Sequence, residues 1–298
     1  MVHILPGRPV GKPDQMSPIH AAVPQIQENP QLASLLTTDG TDVRTRHRWL
    51  ALQPLVRRLG VQNAAQILRD AVRSVSPRLS QQSLRERNPT ALLIGAFMSQ
   101  RNLNDAFPGA DLDSWYTSLI DVFGSWSARY WEQRAILARR NSRHDETLLA
   151  KAESFALRAT ELVADTYSFT TLGTVLLEKA ARHPFDVQTY YERGLSAFER
   201  AAALDGTGSN VVTWIAFLRY ATRVLDRIAS DQAKGVGSGE SEELWTAVRS
   251  DWTRIFDQLA LLGKAGEQLQ NDLRKLRHDF ESLPTPAASD GSEPPTAG

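Results

Sequence analysis

Between about residue 30 and residue 282, apolar side chains recur every three or four positions and hardly ever alternate, which is the spacing of amphipathic helices rather than strands. About a dozen helices are expected from it. In residues 31–124 they are short and punctuated by turn signals at Gly60, Pro77, Asn88-Pro89 and Pro108-Gly109. Asn88 as N-cap with Pro89 in the first helical position starts a helix running to residue 98. Pro54 lies inside residues 49–59, so that segment is either kinked or two short helices. Asp111 caps a helix whose Leu112, Trp115, Tyr116, Leu119, Ile120 and Phe123 form one apolar face ended by Gly124.

Longer helices are expected in residues 125–282. Trp214, Phe217, Leu218, Ala221, Val224, Leu225 and Ile228 share one side of a helix, and Trp245, Val248, Trp252, Ile255, Phe256 and Leu259 share a side of another. Residues 234–239 read as the Gly/Ser-rich connection between them. Residues 1–30, with six prolines, and residues 283–298, rich in Pro, Ser, Gly and Ala, read as a disordered leader and tail.

Small residues set against large ones carry the strongest architectural signal. Phe169, Leu172, Gly173 and Leu176 have the spacing of the first helix of a tetratricopeptide repeat, and Gly194, Phe198, Ala201 and Leu204-Asp205 that of the second. Trp131, Arg134, Ala135 and Ala138, followed by Ala152, Ala156, Ala159 and Leu162, sketch an earlier unit, and Trp214, Phe217 and Ala221 open a later one. The units start 38 and 45 residues apart, from Trp131 to Phe169 and from Phe169 to Trp214. Against about 34 residues for the standard repeat, this requires longer helices or enlarged loops. The expected fold is all-α, a tetratricopeptide-like solenoid of stacked antiparallel helical hairpins with disordered termini.

The runs Trp131-Glu132-Gln133-Arg134-Ala135 and Leu172-Gly173-Thr174-Val175-Leu176 resemble the helical-repeat arms at the C-terminal ends of large prokaryotic nucleotide-switch and sirtuin-like defence proteins, over about residues 80–205. The resemblance implies an arm that senses a signal or holds a partner while a separate domain does the chemistry. It specifies packing far more than activity.

Composition narrows the chemistry. Lys plus Arg equals Asp plus Glu at 34 each, so no overall positive field marks a dedicated nucleic-acid binder. Residues 1–100 carry twelve Lys/Arg against six Asp/Glu, and residues 231–298 seven against twelve, a polarity able to steer partners or self-association. The absence of cysteine excludes disulfides, thiol nucleophiles and thiolate metal sites. The leader has no apolar signal core, so the cytoplasm is the expected compartment. The strongly apolar run 91–98 is far too short to span a bilayer, and no membrane association is expected.

No catalytic constellation is legible. Gly7 to Pro13 nearly spells a phosphate-binding loop but is one spacer short, has Pro13 in place of the hydroxyl residue, and follows no strand. Gly235 to Gly239 fits neither a dinucleotide fingerprint nor a nucleophile elbow. His3, His20, His47, His144, His183 and His278 lie far apart, without metal-motif spacing, and Asp145 beside His144 reads as a helix cap. A helical metal site would require a paired Glu-x-x-His arrangement, which is missing. No cofactor or metal is expected.

Two binding readings follow. In the first, a non-catalytic interaction or sensor module holds a peptide, a partner protein or another copy of itself, with Arg134, Tyr190, Tyr191 and Arg193 as candidate partner-binding residues. Tyr190 and Tyr191 are adjacent on a helix and cannot both point inward. In the second, the basic patch Arg44, Arg46, Arg48, Arg57 and Arg58, with Trp49 beside it, grips nucleic-acid phosphates and stacks on a base. Against this, the same arginines also fit the solvent side of a helix that buries Trp49.

Overall fold

The computed structural model describes residues 36–39, 42–45, 53–86, 88–143, 145–183, 186–205, 210–235, 239–261 and 267–284. Ahead of the helices stands a feature that the periodicity does not predict. Strands β1 (Leu36–Asp39) and β2 (Asp42–Thr45) pair antiparallel, from Leu36 opposite Thr45 to Asp39 opposite Asp42. Their threonines and valine favour extended backbone, but four residues are too few for an alternating pattern to stand out.

Fourteen α-helices and one 3-10 turn make up the rest of the secondary structure among the described residues. The all-α class therefore holds. None of the described helices is long and apolar enough to cross a membrane. The chain divides into two compact units, Met1–Leu137 and Ala138–Gly298.

In the first unit, α1 (Gln53–Leu59), α2 (Val61–Val75) and the 3-10 turn Ser76–Arg78 precede α3 (Gln81–Arg85), α4 (Pro89–Phe97) and α5 (Gln100–Ala106). Pro54 is the second residue of α1, where the missing N–H costs no hydrogen bond. Asn88 caps α4 through bonds from the Thr90 and Ala91 amides. Asp111 caps α6 (Leu112–Thr117) through the Ser114 amide, and α7 (Ile120–Phe123) follows. The single face expected from Leu112 to Phe123 is thus broken into two short helices. Leu112, Trp115, Tyr116, Leu119 and Phe123 are buried, whereas Ile120 is 45% exposed because the break at Leu119 rotates it outward. An aromatic core forms where Trp115 donates to the Ala65 carbonyl, Tyr116 to that of Met98, and Tyr130 to that of Tyr116. Each polar tip has a partner, so the rings are buried without an unsatisfied group.

The unit boundary falls inside α8 (Ala128–Asn141). Beyond it lie α9 (Thr147–Leu162), α10 (Thr166–Arg182), α11 (Val187–Leu204), α12 (Val211–Ala233), α13 (Gly239–Leu261) and α14 (Glu267–Glu281). Asp165 and Ser168 start α10 with a reciprocal capping box. α10 packs on α9, α11 and α12, and α12 packs on α13 and α14.

The small-to-large pattern has a direct physical counterpart. A methyl group added at Gly173 would stand 2.7 Å from the Phe198 ring, and one at Gly194 would stand 2.8 Å from Leu177. Because 173 meets 198 and 177 meets 194, α10 and α11 run antiparallel. Thr170 bonds Thr213, Glu178 bonds Arg223, and the Arg182 carbonyl accepts from Arg227, so α12 runs in the same direction as α10. Phe198 and Ala201 are fully buried, but Leu204 at the end of the pattern is 49% exposed. The apolar stripes of α12 and α13 are buried as expected, except that Trp214 and Trp245 are only partly covered. Trp252 donates to the Leu218 carbonyl and stacks on Phe280 of α14 at 3.8 Å between centroids.

Candidate functional site

Near the C-terminal end of α10, the apolar packing gives way to charge. Glu153 of α9 accepts from Lys179 Nζ and from Arg193 Nη2, each at 2.6 Å. Burial works to raise the Glu153 pKa, but hydrogen bonds from Lys179 and Arg193, with their charges, outweigh it and hold the carboxyl below its ordinary value. Burial likewise works to lower the Lys179 pKa, and the bonds and charges of Glu153 and Tyr190 outweigh it in the upward direction. Both partners are therefore ionised at neutral pH, and the pair ties α9, α10 and α11 together.

Tyr190 lies against this pair, half-buried. Lys179 Nζ sits 4.1 Å from its ring centroid, the Arg193 guanidinium 5.9 Å away, and the His183 ring 5.9 Å away in an edge arrangement. Beside it opens a cleft of about 190 Å³ lined by Glu146, Thr147, Leu149, Ala150, Lys179, Arg182 and His183. That volume is below the roughly 300–1,000 Å³ of small-molecule and cofactor sites and suits a single inserted side chain. The start of α9 offers the cleft little anion-binding capacity. The Thr147 amide already bonds the Asp145 carboxylate, Leu148 bonds the Asp145 carbonyl, and Leu149 bonds that of Glu146.

The sequence candidates fall in different places. Tyr190 and Arg193 stand together on α11, whereas Tyr191 points into the core at 3% exposure and donates to Asp251 of α13 at 3.0 Å. Burial first, and then the Asp251 charge, push its phenol pKa up, so it stays protonated. Arg134 belongs to the first unit, is 8% exposed, and reaches Tyr130, Thr117 and Asp113 while lying over the Tyr130 and Trp131 rings. In the basic patch, Arg57 and Arg58 are exposed near the end of α1, and Arg44 lies on β2. Arg46, Arg48 and Trp49 lie outside the described residues, as do His144, the leader motif at residues 7–13 and residues 236–238 of the Gly-rich connection.

Sequence reasoning passed over Glu153, Glu178 and Lys179. A signal was present: Glu178-Lys179 is a charged pair between Leu176-Leu177 and Ala180-Ala181, on a helix with apolar residues all round. Such a pair is buried and must find partners.

Among the described residues, no three of His, Asp and Glu gather as a metal-ligand set. The raised phenol pKa values of Tyr116 and Tyr130 arise chiefly from burial in the aromatic core. No family model, no curated protein and no solved structure matches the chain.

Proposed function

We propose that the chain is a non-catalytic interaction or sensor module of tetratricopeptide-like helical-repeat type, engaging a peptide segment of a partner protein at the Tyr190 face. The observation that carries this reading is the half-buried tyrosine with Lys179 and Arg193 against its ring, the former lining, with His183, a small neighbouring cleft. A rigid aromatic flanked by cations beside a small pocket is the composition of an interface hot spot. The glycine-mediated nesting of α10 with α11, and the alignment of α12 with α10, support the repeat architecture.

The test is affinity capture with the full chain and with Tyr190→Ala and Arg193→Glu, followed by mass spectrometry. A partner retained by the parent protein should be weakened about tenfold or more by Tyr190→Ala, as for a central hot spot. Tyr190→Ala should change the melting temperature little, because the ring is half-buried, whereas Arg193→Glu also breaks the bond to Glu153 and should lower it. Capture unaffected by either substitution would remove this face from the proposal.

The nucleic-acid alternative draws support from the exposure of Arg57 and Arg58. It requires binding that weakens steeply with salt.

A further inference from the structure

A second cluster lies one residue away on α10. Glu178, 8% exposed, accepts from Arg223 of α12 at 2.7 Å and stands 3.8 Å from Arg139 of α8 and 4.0 Å from Arg182. The Arg139 and Arg223 guanidiniums lie 5.1 and 4.8 Å from the Tyr220 ring centroid, and Arg139 also donates to its hydroxyl. Three guanidiniums from three helices thus stand within 4.0 Å of one carboxylate, Arg182 also donating to the Ser142 hydroxyl and carbonyl at 2.7 and 2.6 Å, and the formal charge of these four side chains is two positive in excess. Further along α12, Arg227 pairs with Asp231, and Asp226 stands one turn beyond Arg223. Glu178 and Tyr220 form a buried floor, while the Arg223 side chain is 46% exposed and presents the charge to solvent.

Like charges gathered over a low-dielectric floor favour a further anion. A phosphate monoester carries about −1.5 to −2 near neutral pH and several strong acceptor oxygens, which matches the excess charge, whereas one carboxylate would leave half of it. The forked, permanently charged guanidinium is the side chain best suited to such an oxyanion. We propose that Arg139, Arg182 and Arg223, with Tyr220 beneath them, form a receptor for a phosphate monoester, carried either on a phosphorylated partner side chain or on a small molecule. This receptor goes beyond the Tyr190 reading and does not depend on it.

The experiment titrates the full chain with a fluorescent degenerate phosphoserine peptide library, with its unphosphorylated and glutamate counterparts, and separately with adenosine monophosphate by calorimetry. Tighter binding of the phosphorylated library assigns a phosphorylated side chain. Binding of the nucleotide without that preference assigns a small molecule. In either case Arg223→Ala, chosen because the residue is exposed, should weaken binding about tenfold, the loss of one charge-assisted contact. Glu178→Gln, checked for folding by circular dichroism, should strengthen it by removing the competing carboxylate. Absence of binding in both arms, equal affinity for all three libraries with no nucleotide binding, or binding indifferent to Arg223→Ala in a folded protein would overturn the proposal. Such a result would leave the Tyr190 reading standing if Tyr190→Ala still lost its partner.

Discussion

Glu153 shows how a single carboxylate can brace three helices. Its folded pKa lies below the ordinary value of 4.5, so the stability it contributes is fully present above that value and is lost as pH falls through the lower folded value. Lys179 has the opposite sign: its contribution is present below 10.5 and is lost as pH rises through its raised folded pKa. The brace therefore holds across the neutral range and fails first in acid. Glu153→Gln should cost about 2 kcal/mol at neutral pH, because Lys179 loses its charged partner in a site with little solvent. The variant should also lose less stability than the parent between neutral pH and pH about 3. Urea unfolding at both pH values checks this, and parallel curves for the two proteins would show that the carboxylate does not act as a brace. The same residue scale explains what the sequence concealed. Tyr190 and Tyr191 are the same residue type one position apart, and about 100° of helical rotation sends one to a charged rim and the other to Asp251.

At the scale of elements, the α10–α11 pair depends on two glycines that admit a ring and a leucine. Gly173→Ala gains roughly 1 kcal/mol of helix propensity. It also pushes a methyl group against the fully buried Phe198, an overpacking cost of about 1–3 kcal/mol. The expected net result is a loss of up to about 2 kcal/mol by chemical denaturation. Gly194→Ala should lose less, since it meets the end of the Leu177 side chain and the Leu176 Cβ only at 3.4 Å. Equal or increased stability in Gly173→Ala would show that the nesting is looser than these distances imply. This part of the fold was readable from spacing alone, because close approach of two helices demands small residues at fixed intervals. The break between α6 and α7 was not readable: Ile120 shares the helical spacing of its neighbours, and only the turn at Leu119 turns it to solvent.

For the whole molecule, the two compact units provide the relevant division. Phe123→Ala in the first and Phe198→Ala in the second each delete a fully buried ring, at a cost of about 3–5 kcal/mol. Hydrogen exchange read by mass spectrometry should show each substitution raising exchange chiefly within its own unit. Equal acceleration throughout residues 53–284 in both variants would instead mark a single cooperative unit.

By itself, the sequence determined the helical class, the caps at Asn88 and Asp111, and the nesting of Gly173 and Gly194, because each depends on contacts within a few residues or on a repeating interval. Tertiary structure decided which charges meet. Glu153 lies 26 residues from Lys179 and 40 from Arg193, and Glu178 lies 45 from Arg223. Nothing local ties such groups together. Their pairing, and the excess of positive charge around Glu178, arise only when apolar faces bring the helices side by side and withdraw from them the water that would otherwise screen each charge.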